Sequence, residues 1–151
     1  MILNRQHEVR VARGSLESFL RRVKRELGLK QWDVTVCLVS DAAMARLNRN
    51  FRKKNGPTDV LSFPSVTRRR PVRLRRRSRP ENSGREEYLG DIAISPATAR
   101  RYAKKHERKV AKELRVLILH GVLHLLGYDH ETDRGEMDKF EQKLRKRFGL
   151  T

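Results

Sequence analysis

The sequence predicts one mixed fold in which strands and helices interleave around a single core. Short β-branched runs at 33–40 (DVTVCLVS), 59–63 (DVLSF) and 88–95 (YLGDIAIS) alternate with stretches whose apolar residues recur at helical spacing. No internal repeat or linker divides the chain, and 151 residues is the length of one domain. A chain of that length buries roughly two thirds of its unfolded surface, so its core needs no covalent staple. Cys37 is the only cysteine, which excludes an internal disulfide framework and a cysteine-based zinc cluster.

Residues 8–12 are expected to supply an opening strand. Ser15 is the expected N-cap of a helix carrying Leu16, Phe19, Leu20, Val23 and Leu27 on one face and ending at Gly28. The run 33–40 reads as a strand with Cys37 as a buried thiol, which suits a reducing compartment, the cytoplasm. Asp41 is expected to cap a short helix bearing Met44, Leu47 and Phe51, and Asn55-Gly56-Pro57 breaks the chain after it. A second strand over 59–63 stops at Pro64. Residues 66–87, with Pro71, Pro80 and Gly84 among many arginines, read as a flexible, exposed insertion. The strand 88–95 leads into Ser95-Pro96, an N-cap followed by proline at the first helical position. Residues 111–126 are apolar on most of the circumference, as a central helix would be, and Gly127 can terminate it. Thr132 is expected to cap a last helix with Met137, Phe140, Leu144 and Phe148 on one face.

Thirty-six Lys and Arg stand against 18 Asp and Glu, a formal charge of +18. So basic a chain has a polyanion as its natural partner, nucleic acid before an anionic membrane. Eight of the twelve residues 68–79 are arginine, and the rest of the chain keeps +10 without them. Lys104, Lys105, Arg108, Lys109 and Lys112 crowd one expected helical stretch. The longest apolar stretch, 116–126, is interrupted by His120 and His124 and is far short of the roughly 20 residues of a membrane span. The N-terminal residues lack the basic and apolar regions of a secretory signal.

Three of the five histidines fall in the stretch HGVLHLLGYDH, at His120, His124 and His130. His120 and His124, four residues apart on a helix, project from one face and can reach one ion at about 2.0–2.1 Å. Gly127 lets the chain turn out of the helix and bring His130 back toward the same point. Three neutral nitrogens with a fourth position left open describe a catalytic zinc site rather than a structural one. Three imidazoles buried among apolar residues without partners would cost several kcal/mol, which argues against packing as their role.

The stretch HGVLHLLGYDH resembles that of the YbeY family, bacterial metal-dependent endoribonucleases of ribosomal RNA maturation and ribosome quality control. NFRKKNGPTDVLSFP at 50–64 and LGDIAIS at 89–95 match as well, and the likeness extends over about 16–148. The resemblance implies a single-domain α+β fold, a small mixed β-sheet packed with helices, with one Zn2+ per chain held by His120, His124 and His130 at the end of a central helix. It also singles out Arg52, before the TDVLSF segment, so that Arg52 and His120 are the expected catalytic residues. The loop after TDVLSFP is short and often acidic in the family, whereas here it is long and rich in arginine. In zinc peptidases with an HExxH helix a glutamate follows the first histidine as general base; here that position is Gly121, which disfavours peptidase chemistry.

The expected reaction is zinc-dependent, single-strand-specific cleavage of RNA, in 16S rRNA 3′-end maturation and ribosome quality control. The partners are then RNA, namely ribosomal RNA in the small subunit, with ribosomal proteins as a further class. A guanidinium such as that of Arg52 can stabilise charge on phosphoryl oxygens through paired hydrogen bonds. Asp129 can orient an imidazole or accept a proton, or can equally serve as a turn residue bonded to local backbone. The alternative function is a non-catalytic, metal-stabilised RNA-binding factor of ribosome assembly.

Overall fold

The computed structural model describes residues 1–65, 87–128 and 134–151. The insertion read at 66–87 falls outside these residues except for Glu87, which opens a strand. Thr132, expected to cap the last helix, also lies outside them.

Four strands form one mixed sheet: β1 (Ile2–Asn4), β2 (Trp32–Leu38), β3 (Val60–Pro64) and β4 (Glu87–Ile94), in the order β1-β2-β4-β3. β1 and β4 run parallel to β2 on either side, and β3 pairs antiparallel to β4 at the edge. Five helices complete the described chain: α1 (Arg13–Glu26), α2 (Asp41–Arg52), α3 (Pro96–Lys105), α4 (Val110–Leu125) and α5 (Glu136–Arg147). This is the α+β fold with a small mixed sheet that the sequence led us to expect.

Alternation along the strands divides the molecule into two unequal apolar clusters. Val34, Val36 and Leu38 of β2 and Ile92 and Ile94 of β4 pack with α1, α4 and α5 in the main core. Leu61 of β3 and Ala93 of β4 face the opposite side, where they meet Met44 of α2, with Leu47 and Phe63 against them. The edge strand β3 thus has α2 on one face and α4 on the other. On the α4 side the Ser62 hydroxyl donates to the carbonyl of Gly121 at 3.2 Å.

Three local expectations are corrected. The opening strand is β1, not residues 8–12, because the Gln6 side chain closes a turn there. Its Oε1 accepts from the Val9 N–H and its Nε2 donates to the Val9 carbonyl, both at 2.9 Å. Helix α1 starts two residues before Ser15, with Ala12 as N-cap and no side-chain cap, and the Ser15 hydroxyl instead accepts from Arg115 Nη2 at 2.9 Å. The cap of α2 is Ser40, whose hydroxyl accepts from the Ala43 N–H, and Asp41 is left for a longer-range task. Its carboxylate accepts from Ser95 Oγ and Thr98 Oγ1 at 2.6 Å and from Arg101 Nη1 at 2.7 Å, joining α2 to α3. Burial alone would raise the Asp41 pKa, but these hydrogen bonds and the Arg101 charge outweigh it and hold it at about 2.

Ser95 caps α3 as expected, accepting from the Thr98 N–H, with Pro96 behind it. The basic stretch around 104–112 is not one helix, because α3 ends at Lys105 and the chain turns through Glu107, at φ 54°, before α4. Among the described residues no helix is long and apolar enough to cross a membrane.

Candidate functional site

Helix α4 is buried over most of its length, from Leu114 through Leu125, and its approach to β4 sets where the histidines stand. A Cβ on Gly121 would lie 2.8 Å from Cγ2 of Ile92, so the helix can lie this close to the strand only because residue 121 has no side chain. That contact gives a structural reason for the missing HExxH glutamate: position 121 faces the sheet and has no room for one. His120 and His124 are half-buried, on a face of α4 that turns toward α5.

Their Nε2 atoms are 2.9 Å apart, with the rings at 70°. Two nitrogens that share an ion at about 2.0–2.1 Å each stand about 3 Å apart, so this separation suits a common ligand. On the other side of the His120 ring, Nδ1 lies 2.7 Å from Oε1 of Glu141, which projects from α5 and is only 3% exposed. An ionised carboxylate can only accept, so in the neutral His120 ring Nδ1 carries the proton and the Nε2 lone pair faces His124. Arg145, one turn further along α5, lies 3.4 Å from the other Glu141 oxygen and balances its charge. A carboxylate behind a histidine that faces a metal position is a recurrent way of fixing ring orientation and tautomer. The donor set therefore fits zinc at the two histidines the structure describes.

Helix α4 ends as the sequence predicted. Gly127 has φ 99°, its N–H donates to the His124 carbonyl at 3.0 Å, and the Tyr128 N–H donates to the Leu123 carbonyl at 3.2 Å. This paired closure turns the chain immediately after the second histidine. His130, the third expected ligand, and Asp129 lie outside the described residues, and among the described residues no group of three ligand-type side chains surrounds one point.

Two turns before His120 on α4, Glu113 is buried, and burial pushes its carboxyl upward, partly offset by the Arg108 charge. Arg108 Nη1 is 3.8 Å from its Oε2. Arg52 is exposed at the last residue of α2, on the sheet face opposite α4. The structure brings His120 and His124 together; Arg52 ends the helix that packs on the Leu61 and Ala93 side of the sheet. Asp91, which the sequence leaves open as a structural residue or one near the site, is exposed on β4 and accepts a hydrogen bond from the Tyr88 hydroxyl.

Glu141 is the site residue that sequence reasoning missed. A signal was present: it lies four residues after Met137 and three before Leu144, a carboxylate within the apolar stripe of an amphipathic helix. Buried charges at such positions are normally paired, so its partner had to be sought elsewhere in the chain.

The family model "Endoribonuclease YbeY" matches residues 1–149. An endoribonuclease YbeY of Koribacter versatilis is 39% identical over 150 residues, covering 99% of this chain and 86% of that protein. That of Solibacter usitatus is 41% identical over 138 residues, covering 91% of this chain and 80% of that protein. Among solved structures, the solution structure of TM1509 from Thermotoga maritima superposes with a TM-score of 0.62 at 28% identity, covering 99% of this chain and 90% of that one. With sequence likeness along nearly the whole chain and the same fold in a solved relative, the chain belongs to the YbeY family.

Proposed function

We propose that the protein is a zinc-dependent endoribonuclease that cuts single-stranded RNA, acting in the cytoplasm on the 3′ end of 16S rRNA and in ribosome quality control. The observation that carries the reading is the pair of Nε2 atoms 2.9 Å apart, backed by a buried carboxylate on Nδ1 of His120. Relatives that cover most of their own length with this chain are named endoribonucleases, which supports RNA as substrate.

His120 and His124 would hold the metal, with His130 as the third ligand expected from the sequence. When bound, zinc supplies Lewis-acid polarisation of a phosphoryl oxygen and acidification of water. Glu141 accepts from Nδ1 of His120 and so orients the ring with Nε2 toward the metal position. Arg145 stabilises the ionised form of that carboxylate by charge. In this reading the Arg52 guanidinium holds the scissile phosphate and stabilises the charge that grows on its oxygens during attack. Gly121 brings no general base, which is consistent with phosphodiester rather than peptide hydrolysis.

The test is cleavage of a single-stranded 16S rRNA 3′-end fragment by the purified full chain, with chelator, with zinc restored, and beside His124→Ala purified identically. Cleavage that follows zinc and is lost in the variant is the expected result. Cleavage that persists in the variant or in chelator overturns the metal-dependent reading. RNA binding without cleavage in any condition would instead support the metal-stabilised assembly factor, which the +18 charge also suits.

A further inference from the structure

Phe51 is 65% exposed, whereas Phe19 and Phe148 are each 6% exposed within the core. The ring is nevertheless held. It packs edge-to-face on Phe63 of β3, centroids 5.0 Å apart and planes at 69°. The chain just after it is tied back to α2: the Asn48 side chain donates to the Gly56 carbonyl at 2.9 Å, and the Lys54 N–H donates to the Asn48 carbonyl at 3.3 Å. An exposed, positioned ring of this kind is ready to bind a flat apolar surface with little ordering left to do.

The charge around it is of one sign. Arg49, Arg52, Lys53 and Lys54 are all exposed, and residues 42–58 contain no Asp or Glu. Position adds a third observation. Phe63 meets Phe51 on the α2 face of the edge strand, while the preceding residue, Ser62, bonds to the Gly121 carbonyl, next to His120, on the other face. The basic aromatic patch and the histidine pair therefore flank the same edge strand.

We infer that Phe51 is a stacking platform for one unpaired nucleobase of an RNA strand that lies across β3, its phosphates held by Arg49, Arg52, Lys53 and Lys54. The inference rests on the RNA reading above. An aromatic face flanked by cations suits a base on a negatively charged backbone, and stacking of this kind tolerates any base. A base within a duplex is already stacked on its neighbours and cannot lie on the ring, so Phe51 would favour single strands over duplexes.

The experiment is fluorescence anisotropy of a labelled oligouridine and of a duplex of equal length, with the full chain and with Phe51→Leu and Phe51→Trp. Leucine keeps apolar contact with Phe63 but removes the π-face. Phe51→Leu is expected to weaken single-strand binding about 5- to 100-fold, with unchanged salt dependence and duplex affinity, and Phe51→Trp to retain binding. An abasic site scanned along the oligonucleotide should reproduce the loss at one position in the unmodified protein and add nothing further in Phe51→Leu. Equal single-strand affinity for Phe51→Leu, or an equal loss on single strand and duplex, overturns the stacking role and leaves the RNA reading standing. Failure of the unmodified protein to bind either RNA overturns both.

Discussion

Glu141 occupies a helix position where leucine would pack, and what it gains in return is a histidine. Its carboxylate is buried and bonded to Nδ1 of His120, with Arg145 behind it, so removing its charge should act on the metal position without reaching the substrate. We expect Glu141→Gln to lower zinc affinity about 10-fold and Glu141→Ala to approach 100-fold, read by chelator competition. Unchanged zinc affinity in both would show that the contact only supports packing. At this scale the sequence was legible where identical residues recur at short spacing, as His120 and His124 do. It was not legible for Glu141, which lies 21 residues from its partner on another helix. Ser15 and Asp41 misled for a related reason: each is a good local capping residue whose side chain bonds to distant partners in the folded chain.

Among the elements, α4 shows how a single absent side chain sets a packing distance. Adding a methyl at Gly121 gains up to about 1 kcal/mol of helix propensity but forces the helix off Ile92, and overpacking of this kind costs about 1–3 kcal/mol. The stiff β-branched isoleucine cannot yield easily, so the steric term should win. We expect Gly121→Ala to lower stability by about 1–2 kcal/mol, seen as a drop in Tm of several degrees. A variant at or above the Tm of the unmodified chain would show that α4 can move away from the sheet without penalty. Strands β2 and β4 and helices α3 and α4 were legible because hydrophobic period and turn residues agreed there. The start of α1 was not, since no side chain caps it, and neither was β1, three residues whose place depends on pairing with β2.

Over the whole molecule, the dominant quantity is charge. The eight arginines of 68–79 are close to half of the net +18, so deleting them should leave zinc content unchanged and weaken RNA binding most at low salt. For a single strand, every phosphate that the shortened chain no longer neutralises would flatten the salt dependence by about 0.7 in log–log slope. Equal affinity of the shortened and full chains at low salt would show that this segment does not touch RNA. The alternation of elements and the polyanion partner were both open to reading from composition. The layer order was not: among the described residues α2 packs on the sheet face to which Leu61 and Ala93 point, and that follows from strand register.

The same register has a consequence for how the chain can change over time. Pro64 pairs with Gly90, and the Ser65 N–H donates to the Leu89 carbonyl at 3.0 Å, so the segment between β3 and β4 leaves and re-enters the sheet at neighbouring points. Closing such a segment costs entropy that grows only with the logarithm of its length, about 0.6 kcal/mol for each doubling. The fold is therefore nearly indifferent to how many residues are spliced in there. Insertions could accumulate at that junction, and their charge could be tuned to a polyanion, without disturbing the helix that carries the histidines.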